Sequence, residues 1–102
     1  MDFSVINSKA IEWQPSTFAK GVWVNNLGKS DGYTLQLVKF APKSSFPAHV
    51  HLKAEFMYIL EGEIMQNGCV LAPGFVSVAD SGTFDKEVTT EQGCTFLIFS
   101  AA

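Results

Sequence analysis

The chain has 102 residues, of which 47% are hydrophobic and 17% charged, and its net charge is −3. We expect a single domain spanning residues 1–102, because this length suits one core and the composition excludes a disordered chain. All seven basic residues are lysines, and a weakly acidic chain without arginine is poorly suited to phosphate, so nucleic acid is not an expected partner.

The N-terminal segment, Met-Asp-Phe-Ser-Val-Ile, has neither the basic start nor the long apolar run of a targeting signal. No later segment reaches the roughly 18 apolar residues of a membrane helix. These features predict a cytoplasmic protein that does not associate with membranes. Cys69 and Cys94 form no C-x-x-C pair and have apolar neighbours, which is typical of reduced core thiols.

Short segments rich in β-branched and aromatic residues recur along the chain, separated by Gly, Pro, Asn, Asp or Ser. No segment has a convincing 3.6-residue period. The pattern predicts strands at residues 22–25, 33–40, 48–51, 55–60, 63–66, 69–71, 75–78, 83–89 and 95–99. Asn67-Gly68 predicts a tight hairpin turn. We therefore expect an all-β fold, either a sandwich or a closed jelly-roll barrel.

The two histidines of the chain occur together, as His49-Val50-His51, and Glu55 follows at the start of a strand that is apolar on both faces. On a strand, residues i and i+2 project to the same face, so both imidazoles point together. A buried carboxylate needs a cationic partner. Two neutral imidazoles and a carboxylate suit Fe, Mn, Ni, Cu or Zn as a divalent ion. The alternative is that the histidines lie on an exposed loop and Glu55 begins its strand at the water boundary.

The surrounding residues resemble the first sequence motif of the cupins, G-x5-H-x-H-x3-E-x6-G. Four of the five fixed positions match, as His49, His51, Glu55 and Gly62, while Lys43 replaces the opening glycine. The resemblance implies a small double-stranded β-helix, the cupin jelly-roll barrel. It also implies that both histidines and the glutamate bind a metal ion.

The second cupin motif, G-x5-P-x-G-x2-H-x3-N, matches only at its glycines, Gly74 and Gly82. Asp80 replaces the proline, Thr89 the asparagine, and Asp85 the histidine that supplies the fourth ligand in the family. An aspartate can bind at a bond length of about 2.0–2.2 Å, so Asp85 is a candidate ligand. If Asp85 does not bind, two histidines and one carboxylate resemble the facial triad of oxygen-activating iron enzymes.

A third interpretation of Asp85 is that it pairs with Lys86 or Lys53 and that the site has lost its metal.

Within the cupins, residues from about 13 to 99 are similar to ChrR-type cupin domains, a group that includes some dihydroxyacetophenone-type dioxygenases. The resembling stretches are residues 35–42, 58–64 and 93–94.

This resemblance implies a homodimer that binds a small molecule at the metal. Three functions stay open: an oxygenase or related lyase, a ligand-sensing regulatory module, and a metal-free binding barrel. The chain lacks the N-terminal zinc domain with which ChrR-type anti-sigma factors hold a sigma factor, so that activity is not expected.

Overall fold

The computed structural model describes residues 2–101, whose regular secondary structure is almost entirely antiparallel β-strand. One 3-10 turn, Ser8–Ala10, precedes the strands. The strands within the described residues are β1 (Gln14–Pro15), β2 (Val22–Ser30), β3 (Tyr33–Phe40), β4 (Ser45–Phe46), β5 (His49–Val50), β6 (Glu55–Gly62), β7 (Ile64–Gln66), β8 (Cys69–Leu71), β9 (Val76–Ala79), β10 (Phe84–Asp85), β11 (Val88–Thr89) and β12 (Cys94–Ala101).

The strands form three sheets. The largest has the order β1-β2-β3-β12-β6-β9, the second has the order β4-β11-β7-β8, and the third pairs β5 with β10. The C-terminal strand β12 therefore lies between β3 and β6, which are distant from it in sequence. This crossed antiparallel order is that of a jelly-roll barrel, as the predicted fold class requires.

The core lies between the large sheet and the β4-β11-β7-β8 sheet. Its buried side chains come from both sheets and form one cluster of ten residues: Val22, Val38, Phe40, Met57, Ile59, Ile64, Leu71, Val88, Cys94 and Phe96. Strand β6 shows the alternation that creates this arrangement, since Met57 and Ile59 are buried while Tyr58 is about half exposed. Tyr58 therefore faces away from the barrel interior.

The turn between β7 and β8 is the predicted Asn67-Gly68 hairpin. Both residues have positive φ angles, 48° and 82°, and Gln66 pairs with Cys69 across the turn. Asparagine and glycine are the residues that best tolerate this backbone conformation. Gly62 serves a different purpose, because a Cβ at this position would collide with the backbone oxygen of Gly93.

Some sequence predictions need correction. The segment predicted as one strand over residues 83–89 is two short strands, β10 and β11, that belong to different sheets. Both cysteines are free, but only Cys94 is buried and Cys69 is exposed. The prediction of two core thiols is wrong for Cys69 because it begins the edge strand β8, of which only Leu71 reaches the core.

Candidate metal centre

His49 and Asp85 lie opposite each other on paired strands. In the antiparallel pair of β5 and β10, the Cα partners are His49 with Asp85 and Val50 with Phe84. Directly paired residues project to the same face of a sheet. Val50 and Phe84 are about half exposed, whereas the side chains of His49 and Asp85 both line the internal cavity.

His51 directly follows β5 and brings the second imidazole to the same carboxylate. The distance from His51 Nε2 to Asp85 Oδ2 is 2.8 Å, and the distance from His49 Nε2 to the same oxygen is 3.5 Å. One donor atom from each of the three residues lies within 4.8 Å of the others. His51 and Asp85 are buried, so the His-Val-His segment is not an exposed loop.

The tautomer of His49 follows from the contact that its Nδ1 nitrogen makes. Nδ1 lies 2.9 Å from the backbone oxygen of Pro47. A carbonyl oxygen only accepts hydrogen bonds, so Nδ1 carries a proton and donates it. In the neutral imidazole, Nε2 then presents its lone pair toward Asp85. Metal-binding histidines are commonly oriented by such a hydrogen bond from the other ring nitrogen.

Glu55 lies beside this cluster and not within it. Its Oε2 is 3.7 Å from Nδ1 of His51, which is longer than a hydrogen bond, and its side chain lines the same cavity. Burial raises the pKa of Glu55. His51 opposes this rise, and smaller effects come from Asp85, which raises the pKa, and His49, which lowers it. Metal binding by Glu55 therefore stays a prediction.

Two residues that the sequence analysis did not identify hold Asp85 in place. Gln66 Nε2 lies 3.3 Å from Oδ1 and 3.4 Å from Oδ2 of Asp85, and so donates to the carboxylate. Ser77 Oγ donates to Gln66 Oε1 at 2.6 Å. Because the serine fixes the amide oxygen, the amide nitrogen must face Asp85. The alternation of β7, with Ile64 buried, was the signal that placed Gln66 on the interior face.

Asn67 positions the strand that carries Asp85. Its Oδ1 accepts hydrogen bonds from the backbone N–H groups of Lys86 at 2.8 Å and Glu87 at 3.0 Å. Its Nδ2 donates to the backbone oxygen of Phe84 at 3.1 Å. The side chain of the hairpin turn thus satisfies the irregular backbone between β10 and β11, and this link holds Asp85 opposite His49.

A cavity of about 290 Å³ adjoins the cluster. Its polar lining includes His49, Glu55, Gln66 and Asp85, which are close to one another. Most of the remaining wall is apolar and includes four phenylalanines, Phe18, Phe40, Phe46 and Phe96. The ring of Phe46 packs edge-on against His49, with 5.1 Å between ring centroids. The cavity is therefore an apolar chamber beside a compact polar site.

The donor set fits a divalent transition metal ion. With metal–ligand bonds of about 2.0–2.2 Å, two ligand atoms on one tetrahedral or octahedral ion lie about 2.8–3.6 Å apart. The two histidine nitrogens lie 2.8 and 3.5 Å from Asp85 Oδ2. Imidazole nitrogen and carboxylate oxygen are also the ligand types that these ions accept.

A model of the ChrR cupin-like domain matches residues 2–102. The chain belongs to the ChrR cupin-like family. In this cupin, both histidines and the glutamate of the first motif line or adjoin one site, while Asp85 occupies the position of the missing histidine. No curated protein matches the chain significantly.

Solved structures agree with this fold. Polyketide cyclase RemF from Streptomyces resistomycificus superposes with a TM-score of 0.88 at 19% identity, covering 98% of this chain and 80% of that chain. An acetylacetone dioxygenase from Acinetobacter johnsonii superposes with a TM-score of 0.81 at 14% identity, covering 99% of this chain and 74% of that chain. A chain from the complex of Rhodobacter sphaeroides SigE with the anti-sigma ChrR superposes with a TM-score of 0.76 at 16% identity. The match covers 94% of this chain and 51% of that chain.

These low identities show a shared fold, and a fold alone does not determine an activity.

Over the described residues, no helix is long and apolar enough to cross a membrane.

Proposed function

We propose that this cupin binds one divalent transition metal ion, Fe, Mn, Ni, Cu or Zn, through His49, His51 and Asp85, with Glu55 as a further carboxylate ligand. A small molecule occupies the adjoining cavity. The observation that supports the proposal is the approach of two histidine nitrogens to one oxygen of Asp85, at 2.8 and 3.5 Å.

The contact of His49 carries this argument. Because Nδ1 donates to Pro47, the neutral ring turns an Nε2 lone pair toward the Asp85 carboxylate, 3.5 Å away. Two acceptors facing each other repel unless a cation lies between them. That cation is either a metal ion or a second proton on His49. Without a metal ion, His51 Nε2 donates a hydrogen bond to Asp85; a metal ion bound to Nε2 would take the place of that proton.

A divalent ion held there supplies Lewis-acid or redox chemistry toward an oxygen-bearing substrate. The protein contributes the arrangement around the ion. Gln66 fixes the Asp85 carboxylate, the backbone oxygen of Pro47 fixes the ring of His49, and phenylalanine side chains form part of an apolar wall beside the site.

We propose a dioxygenase-like enzyme, in keeping with its structural likeness to an acetylacetone dioxygenase. The alternative is a sensing module that binds its ligand without turnover, since the chain also resembles part of a complex that contains the anti-sigma ChrR. Oxygen uptake by metal-loaded protein distinguishes the two, because a sensor binds a ligand without consuming oxygen.

The metal itself is tested by elemental analysis of protein purified without a metal-affinity tag. We expect about one equivalent of metal per chain, because the three residues form one donor cluster. We expect a lower metal content in Asp85→Ala and in the double variant His49→Ala with His51→Ala. Asp80→Ala is the matched control, because Asp80 is an exposed aspartate near the same segment. Absence of metal from the wild type, or equal loss in the control, would contradict the proposal.

We further propose that two copies form a homodimer through the outer face of the large sheet. Neighbouring strands pair Phe56 with both Val78 and Phe99, and Phe99 with Leu35. Eight large apolar side chains on this face are 37–60% exposed: Tyr33, Leu35, Phe56, Tyr58, Leu60, Val76, Val78 and Phe99.

With about 150–250 Å² for a large side chain, this apolar patch measures on the order of 700 Å². Monomers rarely leave more than about 300–600 Å² of apolar surface exposed in one patch. A standard interface buries about 800 Å² on each partner, so a second copy would cover the patch. Light scattering should show a dimer that Phe56→Lys with Tyr58→Lys converts to a monomer, and a monomeric wild type would contradict the interface.

The other expectations, a single cupin domain over residues 1–102, a cytoplasmic location and the absence of a nucleic-acid partner, stay predictions.

A further inference from the structure

We propose that Phe18 is a gate at the mouth of the cavity and determines the size of the molecules that reach His49. Phe18 lies on the loop of residues 16–21, which joins β1 to β2. This role goes beyond the proposed function, because the gate controls entry into the barrel whether or not an ion is bound there.

Phe18 lies between two spaces. It lines the cavity of about 290 Å³ beside the metal cluster, and it also lines a separate outer hollow of about 400 Å³, which is bordered by residues 15–23. At the same time, Phe18 is 75% exposed. A side chain that belongs to the wall of a cavity and yet lies mostly in solvent must stand at the opening of that cavity. Phe18 therefore separates the outer hollow from the cavity.

From this mouth, aromatic side chains lead to the metal cluster. The ring centroids of Phe18 and Phe46 are 6.3 Å apart, and the ring of Phe46 is 5.1 Å from that of His49. Aromatic rings at these separations are in packing contact. Phe46 is partly buried against the core, where its ring lies 6.4 Å from that of Phe40. A molecule that passes Phe18 therefore meets the fixed ring of Phe46 and then His49.

The loop backbone is held in place, so opening requires only a rotation of the Phe18 side chain. The N–H of Ser16 donates to the backbone oxygen of Val22 at 2.8 Å, and Ala19 packs against the hydrophobic core. Exposed side chains change rotamer within picoseconds to nanoseconds, which is far faster than a chemical reagent reacts. The rate at which a reagent modifies His49 is therefore proportional to the fraction of time for which the mouth is open.

The test measures how fast diethyl pyrocarbonate acylates His49 in the full-length protein after a chelator has removed any metal. The chain has two histidines, and the side chain of His49 is 34% exposed against 5% for His51. Mass spectrometry should therefore find His49 modified first. We expect Phe18→Ala to react about two- to fourfold faster, because burial of about a quarter of a phenylalanine side chain shifts a population by that factor.

A second reagent tests the selection by size. Di-tert-butyl dicarbonate acylates by the same chemistry and is bulkier, so we expect Phe18→Ala to accelerate it more than diethyl pyrocarbonate. Phe18→Trp should slow both reagents, because the larger ring covers more of the mouth. Thr17→Ala is the matched control, since Thr17 is an exposed residue of the same loop and is not among the described residues that line the cavity. Circular dichroism compares the fold of each chelator-treated variant with that of the wild type.

The outcomes identify which claim fails. Faster modification of His49 in Phe18→Ala, greater for the bulkier reagent and absent from Thr17→Ala, supports the gate. An unchanged rate in Phe18→Ala, or an equal acceleration in Thr17→Ala, overturns it. Equal acceleration of both reagents overturns the selection by size. Because the reaction uses metal-free protein, a purified protein without metal would contradict the proposed function and leave this test unaffected.

Discussion

The hydrogen bonds from Gln66 to Asp85 make a prediction about metal affinity. Gln66→Leu preserves the approximate size of the side chain and removes the amide that contacts both carboxylate oxygens, at 3.3 and 3.4 Å. It also removes the acceptor for the Ser77 hydroxyl. Asp85 then loses the contact that orients it toward His49 and His51, so we expect the affinity for the metal ion to fall.

The size of the effect follows from these distances. A hydrogen bond to a charged group contributes about 1.5–3 kcal/mol, and the two contacts are long, so we take the lower end of that range. About 1.5 kcal/mol corresponds to a roughly tenfold weaker affinity. This agrees with the about 10–100-fold losses that follow removal of groups that orient metal ligands. Competition with a fluorescent zinc chelator at neutral pH measures the change.

Gln36→Leu is the control for this experiment. Gln36 also lines the cavity, but its Nε2 donates to Asn26 Oδ1 at 2.7 Å, so its loss should leave the metal affinity unchanged. Ser77→Ala should give a smaller loss than Gln66→Leu, because the amide keeps its contact with Asp85. Equal affinities for wild type and Gln66→Leu would refute the role assigned to Gln66.

Three further predictions concern stability and reactivity. Ile59 is 1% exposed, so Ile59→Ala should lower the free energy of unfolding in urea by about 2–5 kcal/mol and Ile59→Val by about 0.5–1.5 kcal/mol; similar losses for both would contradict the packing described. Burial raises the pKa of Cys94 to about 11, so a thiol reagent at pH 8 should modify the exposed Cys69 first, and equal rates would count against this. Burial also raises the pKa of Glu55. In the metal-free protein, the carboxyl group of Glu55 therefore holds its proton more tightly in the native state than in the unfolded chain. Its contribution to the free energy of unfolding falls as the pH rises above the ordinary range of a carboxyl group. Urea denaturation of the metal-free proteins across that pH range should show that the free energy of unfolding depends less on pH in Glu55→Gln than in the wild type. The same pH dependence in both proteins would show that burial of Glu55 does not affect folding.

Local sequence signals were sufficient for much of the fold. The alternation of β6 placed Met57 inside and Tyr58 outside, and Asn67-Gly68 produced the predicted turn, because both signals act between neighbouring residues. The spacing of His49 and His51 likewise brought both imidazoles to one site. The motif alignment placed Asp85 with them, although no periodicity in its own segment indicated this.

The remaining features depend on pairing between distant segments. Residues 83–89 have the composition of one strand, but β10 pairs with β5 and β11 pairs with β4 and β7. The side chain of Asn67 holds the backbone between them. The contact of Gln66 with Asp85 also requires β7 and β10 to meet, which no local pattern specifies. For the same reason, the position of Glu55 beside the cluster and not within it could not be derived from spacing.

The most direct test of the metal centre is an anomalous difference map from crystals of the metal-loaded protein, measured at the absorption edge of the bound ion. The account predicts one peak, about 2.0–2.2 Å from a ring nitrogen of His49, from Nε2 of His51 and from an oxygen of Asp85. The same map would show whether Glu55 completes the ligand set. A peak at another position, or no peak in protein that elemental analysis shows to contain metal, would contradict the assignment of this site.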